Sequence, residues 1–110
     1  MSSLNSSDLI VDEDQLVAFL ADGSKSRSEW RIGTEHEKFA FDPETLRTLG
    51  YEGAKGVRAL LENLERYGWV PVLENGNPIA LKMPDGANVS LEPGGQIELS
   101  GAPLETIHQT

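Results

Sequence analysis

Four glutamates placed at alternate positions of strand-like segments are the residues whose type and spacing could do chemistry. Glu35 and Glu37 are separated by one residue, and Glu92 and Glu98 lie on either side of Pro93–Gly95. Alternate residues of a strand share one face, so Glu35 and Glu37 would lie about 7 Å apart along it. Carboxylate oxygens are hard ligands that suit Mg²⁺ or Mn²⁺ holding the phosphates of a nucleotide. The pattern therefore predicts a divalent-metal site with these four glutamates as candidate ligands.

The last hairpin extends this face. A three-residue turn at Pro93–Gly95 would place Ser90 opposite Glu98 and Glu92 opposite Gln96. An apolar layer would lie behind the polar one and contain Val89, Leu91, Ile97 and Leu99.

A solvated face of an antiparallel sheet is the simplest alternative to a metal site, because such faces are common. Two observations count against it. Glutamate is depleted in strands, and residues 83–110 contain no lysine or arginine. The charge must therefore be balanced by water, by another segment or by a bound metal ion.

The remaining candidates for chemistry are isolated side chains. His36 alternates to the face opposite Glu35 and Glu37, which favours a structural or solvated role over metal binding. Arg31 and Lys82 could meet a phosphate or a substrate carboxylate, but each is a lone cation and a surface role is simpler. The chain has no G-x-x-x-x-G-K-[ST] phosphate loop. No side chain is assigned a catalytic role.

Two helices and five strands would position these residues. A helix is expected to begin at the N-cap Asp12 and to end at Gly23, and a second one spans residues 53–67, where apolar residues recur on one face. A strand covers residues 30–41, and four short strands begin near residues 69, 78, 87 and 96, separated by turn sequences. The fold class is therefore α+β, an antiparallel meander with helices packed on one face.

The C-terminal residues resemble a helix start. Pro103 suits the first turn of a helix, and Leu104 and Ile107 begin an apolar stripe. We take residues 1–28 as a leader followed by a helix, and residues 29–110 as the first part of a longer domain.

Length, composition and charge exclude several classes of protein. The 110 residues correspond to one domain, and the net charge of −9 argues against nucleic acid or an anionic membrane as a partner. The absence of cysteine excludes a disulfide framework and a cysteine nucleophile. There is no apolar run long enough to span a bilayer and no secretory signal, so a cytoplasmic protein is expected.

Several motifs together resemble glutamate–cysteine ligase of the plant and proteobacterial type. They extend from about residue 30 to residue 110, and the last is the longest. They are Gly33-Thr34-Glu35-His36-Glu37-Lys38-Phe39, Tyr67-Gly68-Trp69, Leu73-Glu74-Asn75-Gly76-Asn77-Pro78-Ile79 and Ser90-Leu91-Glu92-Pro93-Gly94-Gly95-Gln96-Ile97-Glu98-Leu99-Ser100-Gly101-Ala102-Pro103.

The resemblance implies an enzyme that uses ATP and Mg²⁺ (or Mn²⁺) to join the γ-carboxylate of glutamate to the amine of cysteine, the first step of glutathione synthesis. It also implies a sheet similar to that of glutamine synthetase, with glutamate, cysteine and ATP as small-molecule partners. The family's metal-ligand glutamates would correspond to Glu35 and Glu37, and also to Glu92 and Glu98. Residues 29–110 would then be the N-terminal part of a catalytic domain, inactive by itself.

Two other functions stay open at this point. One is a related carboxylate–amine ligase that uses a different amine. The other is a non-catalytic sheet domain that binds a divalent metal or a partner protein.

Overall fold

The computed structural model describes residues 9–110. The chain divides into two compact units, Met1–Trp30 and Arg31–Thr110. Most of the predicted leader falls on residues 1–8, which lie outside the described residues. None of the helices found in residues 9–110 has the length and apolar character needed to cross a membrane.

The first unit contains helix α1, Glu13–Asp22, where the sequence predicts it. Asp12 caps its N-terminus, since its Oδ1 accepts a hydrogen bond from the backbone N–H of Gln15 at 2.9 Å. Gly23 is the C-cap residue, and a 3-10 turn follows at Arg27–Glu29. The apolar side chains of α1 are nevertheless exposed, namely Leu16, Val17, Phe19 and Leu20.

The second unit is built on one five-stranded antiparallel sheet with the order β1-β5-β4-β3-β2. The strands are β1 Glu35–Phe39, β2 Val70–Glu74, β3 Asn77–Lys82, β4 Asn88–Glu92 and β5 Gln96–Ser100. Strands β2 to β5 form the predicted meander, and each begins within one residue of the expected position. The α+β class and the antiparallel meander are thus confirmed.

Strand β1 is shorter than the segment 30–41 that alternation predicts. Its ladder with β5 stops at the pair Glu35 and Ser100. Beyond it, the backbone of Gly101 donates to Thr34 O at 2.7 Å, and a side chain at Gly101 would lie 3.1 Å from Thr34 Oγ1. The two segments thus stay close beyond the ladder, and they meet again in an isolated bridge between Ile32 and Leu104.

Helix α2, Val57–Glu65, covers part of one face of the sheet and is shorter than the predicted span 53–67. The chain enters it through Gly56, where a side chain would collide with backbone carbonyls of the preceding turn. The helix contacts β3 and β2. The buried core lies between helix and sheet and consists of Val57, Leu61, Leu81 and Val89.

The helix predicted from Pro103 is wrong. The N–H and C=O of Leu104 pair instead with the backbone of Ile32, both at 2.8 Å. Those groups are therefore unavailable for helical hydrogen bonds, and the segment contains only a 3-10 turn at Ile107–Gln109.

Candidate functional site

The cross-strand register places the four candidate glutamates on one face of the sheet, as alternation predicts. Glu37 lies directly opposite Glu98, and Glu98 directly opposite Ser90. Two residues after Glu98 on β5, Ser100 lies opposite both Glu35 and Asn88. Two residues before Glu98, Gln96 lies opposite Glu92. We call this surface the carboxylate face.

Glu37 and Glu98 are like charges at directly opposed positions, where the Cβ atoms of an antiparallel pair lie about 5 Å apart. Such a pair destabilises a sheet unless something compensates the charge. Among residues 9–110, no ion pair joins a lysine or arginine to any of Glu35, Glu37, Glu92 and Glu98. Within the described residues, the repulsion between Glu37 and Glu98 is therefore not compensated by an ion pair.

Two of the carboxylates accept hydrogen bonds from serines of their own strands. Ser90 Oγ donates to Glu92 Oε1 and Ser100 Oγ donates to Glu98 Oε1, each at 2.6 Å and partly buried. Both distances lie at the short end of the range for hydrogen bonds between two oxygen atoms. The sequence pattern signals these contacts, because each serine stands two residues from its glutamate and therefore shares its face.

The layer behind the carboxylate face holds these strands in place. Leu81 and Val89 point away from it into the core under α2, and Leu91 and Ile97 pack against that core. The carboxylate-bearing strands are thus anchored by apolar contacts on their other side.

The geometry does not include a complete metal cage. Within residues 9–110, no group of three or more His, Cys, Asp or Glu side chains is arranged so that it could hold a metal ion. The oxygen donors are present on one face, but the described side chains do not converge on a single point.

His36 lies on the opposite face, as expected, where it lines an apolar groove together with Lys38. The groove has a volume of about 630 Å³ and lies beside α2. Its other lining residues are Phe39, Ala40, Leu60, Leu64, Trp69, Val89, Ile97 and Leu99.

The two cations singled out from the sequence, Arg31 and Lys82, differ in their positions. Arg31 pairs with Glu105 at 3.8 Å. Lys82 lies opposite Asn88, which places it on the carboxylate face. This position was not predicted, although the apolar residue Leu81 precedes Lys82, and alternation along a strand places the two on opposite faces.

Two charged groups with displaced pKa values lie away from the carboxylate face. The pKa of Asp42 is lowered, chiefly by the backbone N–H of Glu44 and then that of Thr45, with a further contribution from Lys55. The pKa of Arg58 is raised, chiefly by its hydrogen bond to Glu62.

Comparison with known proteins places residues 31–110 within the model of a family described as glutamate-cysteine ligase family 2. A chloroplastic glutamate–cysteine ligase of Nicotiana tabacum is 54% identical over 101 residues, which are 91% of this chain and 19% of that protein. Ligase A of Oryza sativa subsp. japonica is 52% identical over 91% of the chain and 20% of its own length. The Arabidopsis thaliana ligase is 50% identical over 91% and 19%. The chain thus spans about a fifth of the length of these relatives, and the resemblance drawn from the motifs is confirmed.

The expected cytoplasmic location is wrong. The relatives are named as chloroplastic enzymes. The expectation depends on the composition of a few N-terminal residues, and that composition does not identify the compartment in which a protein works.

Proposed function

Since the chain belongs to glutamate-cysteine ligase family 2, we propose that it works as part of a ligase that joins the γ-carboxylate of glutamate to the amine of cysteine with the use of ATP. The observation that carries this proposal is the family match, which includes all five strands of the sheet and helix α2. The substrates would be small molecules, as the names of the relatives indicate for those proteins.

The carboxylate face is the proposed site of Mg²⁺ or Mn²⁺, with Glu35, Glu37, Glu92 and Glu98 as ligands. The donor set fits, since it consists of the hard oxygen atoms that these ions prefer. Mg²⁺ usually binds through one or two carboxylates together with substrate phosphates and water. A cage of three converging side chains is therefore not required, which agrees with the geometry of the described residues.

A bound divalent ion would supply positive charge next to the phosphates of ATP. The chain's own contribution is to present carboxylates at fixed positions of a rigid sheet. The opposed pair Glu37 and Glu98 supports this assignment, because a cation between them would relieve their repulsion.

We further propose that residues 29–110 form the N-terminal part of a catalytic domain with a sheet similar to that of glutamine synthetase. Two features support this. The sheet is antiparallel throughout, and α2 packs on the face opposite the carboxylates, so that the polar face stays available for ligands.

The test is the substitution of single carboxylates in the full-length ligase that contains this segment. Glu→Gln keeps the size of the side chain and removes its charge. We expect Glu37→Gln and Glu98→Gln to lower kcat by roughly 10²-fold or more, by analogy with the loss of one electrostatic group in other active sites. The melting temperature should not fall, because neither side chain belongs to the core and each substitution removes the like-charge repulsion of the pair.

His36→Gln is the matched control, because His36 lies on the same strand but faces the apolar groove. Its activity should stay close to that of the unchanged enzyme. Full activity and unchanged metal dependence in Glu37→Gln and Glu98→Gln would contradict the proposed metal site. Metal binding without formation of γ-glutamylcysteine in the unchanged protein would favour a non-catalytic domain instead.

A further inference from the structure

The carboxylate face is organised in three cross-strand rows, and the serines occupy particular places in them. The first row contains Lys82, Asn88, Ser100 and Glu35; the second contains Ala80, Ser90, Glu98 and Glu37; the third contains Glu92, Gln96 and Phe39. Successive rows are about 7 Å apart, the distance between alternate residues of a strand.

Each serine–glutamate hydrogen bond joins two neighbouring rows in the same direction. Ser90 draws the carboxylate of Glu92 from the third row towards the second, and Ser100 draws that of Glu98 from the second row towards the first. Because β4 and β5 are antiparallel, the serine precedes the glutamate on one strand and follows it on the other. Both hydrogen bonds are thus directed towards the first row, which contains Lys82 as well as Glu35.

Each hydrogen bond also leaves most of the carboxylate available. An ionised carboxylate has about four acceptor positions on its two oxygens. The serine occupies one position on Oε1, and that bond uses none of the positions on Oε2. The bond restricts the side-chain torsions of the glutamate before any ligand arrives, which reduces the entropy lost on binding.

We infer that Ser90 and Ser100 are positioning residues, which hold the carboxylates of Glu92 and Glu98 in the orientation that binds a divalent cation. The inference rests on the proposed function of the carboxylate face. It assigns the serines no contact with the ion; they act through the glutamates.

The experiment is a titration of the full-length ligase with Mn²⁺ alone, in which electron paramagnetic resonance measures the free ion. We expect Ser100→Ala to raise the Kd for Mn²⁺ by roughly 10-fold or more, the usual effect of removing a hydrogen-bond partner of a metal ligand. The same variant should raise the Mn²⁺ concentration required for half-maximal activity more than it lowers kcat. Ser100→Thr, which keeps the hydroxyl group, should bind Mn²⁺ with nearly the unchanged affinity.

Ser24→Ala is the matched control, because Ser24 is exposed and belongs to the other compact unit. Its Kd should not change. If Ser100→Ala does not fold, Ser90→Ala decides the question by the same measurement: a raised Kd supports the inference and an unchanged Kd overturns it.

Glu98→Gln separates this inference from the proposed function. An unchanged Kd in Glu98→Gln would show that the proposed metal site is wrong. A raised Kd in Glu98→Gln, together with an unchanged Kd in a folded Ser100→Ala, would support the proposed metal site. It would contradict the positioning role of Ser100.

Discussion

At the scale of single residues, the hydrogen bonds that Asp42 accepts make the stability of the folded protein depend on pH. Its Oδ1 accepts from the backbone N–H groups of Glu44 at 2.8 Å and Thr45 at 3.2 Å, and its Oδ2 lies 3.2 Å from Lys55 Nζ. These contacts favour the ionised form and lower the pKa of Asp42. A carboxyl with a lowered folded pKa contributes stability above its unfolded pKa, and that stability is lost as the pH falls through the folded pKa.

We therefore expect Asp42→Asn to lower the melting temperature slightly at neutral pH, because the variant keeps the shape of the side chain but lacks the charge that these contacts favour. The difference from the unchanged protein should shrink as the pH falls below the usual pKa of aspartate, about 3.9. Thermal unfolding followed by circular dichroism between neutral and acidic pH measures this. Glu74→Gln, an exposed acid at the end of β2, is the control, and an equal pH dependence in both variants would contradict the prediction.

The positions of the candidate site residues were predictable from the sequence because they depend on a local rule. Side chains alternate along a strand whatever its neighbours are, so Glu35 and Glu37 share a face and His36 takes the other. The opposition of Ser90 and Glu98 follows from the length of one turn. By contrast, the pairing of Glu37 with Glu98 requires β1 to join β5 across a long stretch of chain, and alternation alone does not provide that contact.

At the scale of secondary-structure elements, α2 is held to the sheet by its buried stripe. Leu61 is fully buried, whereas the neighbouring Leu60 remains 38% exposed beside the groove. We expect Leu61→Ala to destabilise the protein by roughly 2–5 kcal/mol, the usual cost of a cavity at a buried leucine. Leu60→Ala, the matched control, removes the same atoms from a partly exposed site and should cost clearly less.

Urea unfolding monitored by circular dichroism compares the two variants. Equal losses of unfolding free energy would mean that α2 does not pack on the sheet through Leu61 as described.

Elements with local signals were predicted well, and elements fixed by distant pairing were not. Asn75 and Gly76 both have positive φ angles, 50° and 81°, which is what a two-residue hairpin turn requires. Two adjacent residues determine that turn, so the positions of β2 and β3 could be predicted from the sequence. The segment after Pro103 has an equally good local signal for a helix, but the backbone of Leu104 pairs with Ile32, and this long-range contact overrides the local preference.

At the scale of the whole molecule, the sheet of the second unit has an apolar face that α2 covers only in part. Leu99 and Leu60 remain 41% and 38% exposed at the groove. On the other face, the described carboxylates do not form a group of three that could hold a metal ion. In the part of the chain that the structure describes, the apolar groove and the carboxylate face are thus both accessible.

The last prediction concerns the activity of the chain by itself. The chain spans about a fifth of the length of the ligases that it matches. We expect the 110-residue chain alone, incubated with glutamate, cysteine, ATP and Mg²⁺, to form no γ-glutamylcysteine above the background without enzyme. Chromatographic detection of the thiol product measures this, with a full-length family member as the positive control. Product that forms only when ATP is present, and that disappears in Glu98→Gln, would contradict the prediction and would show that the sheet and α2 suffice for catalysis.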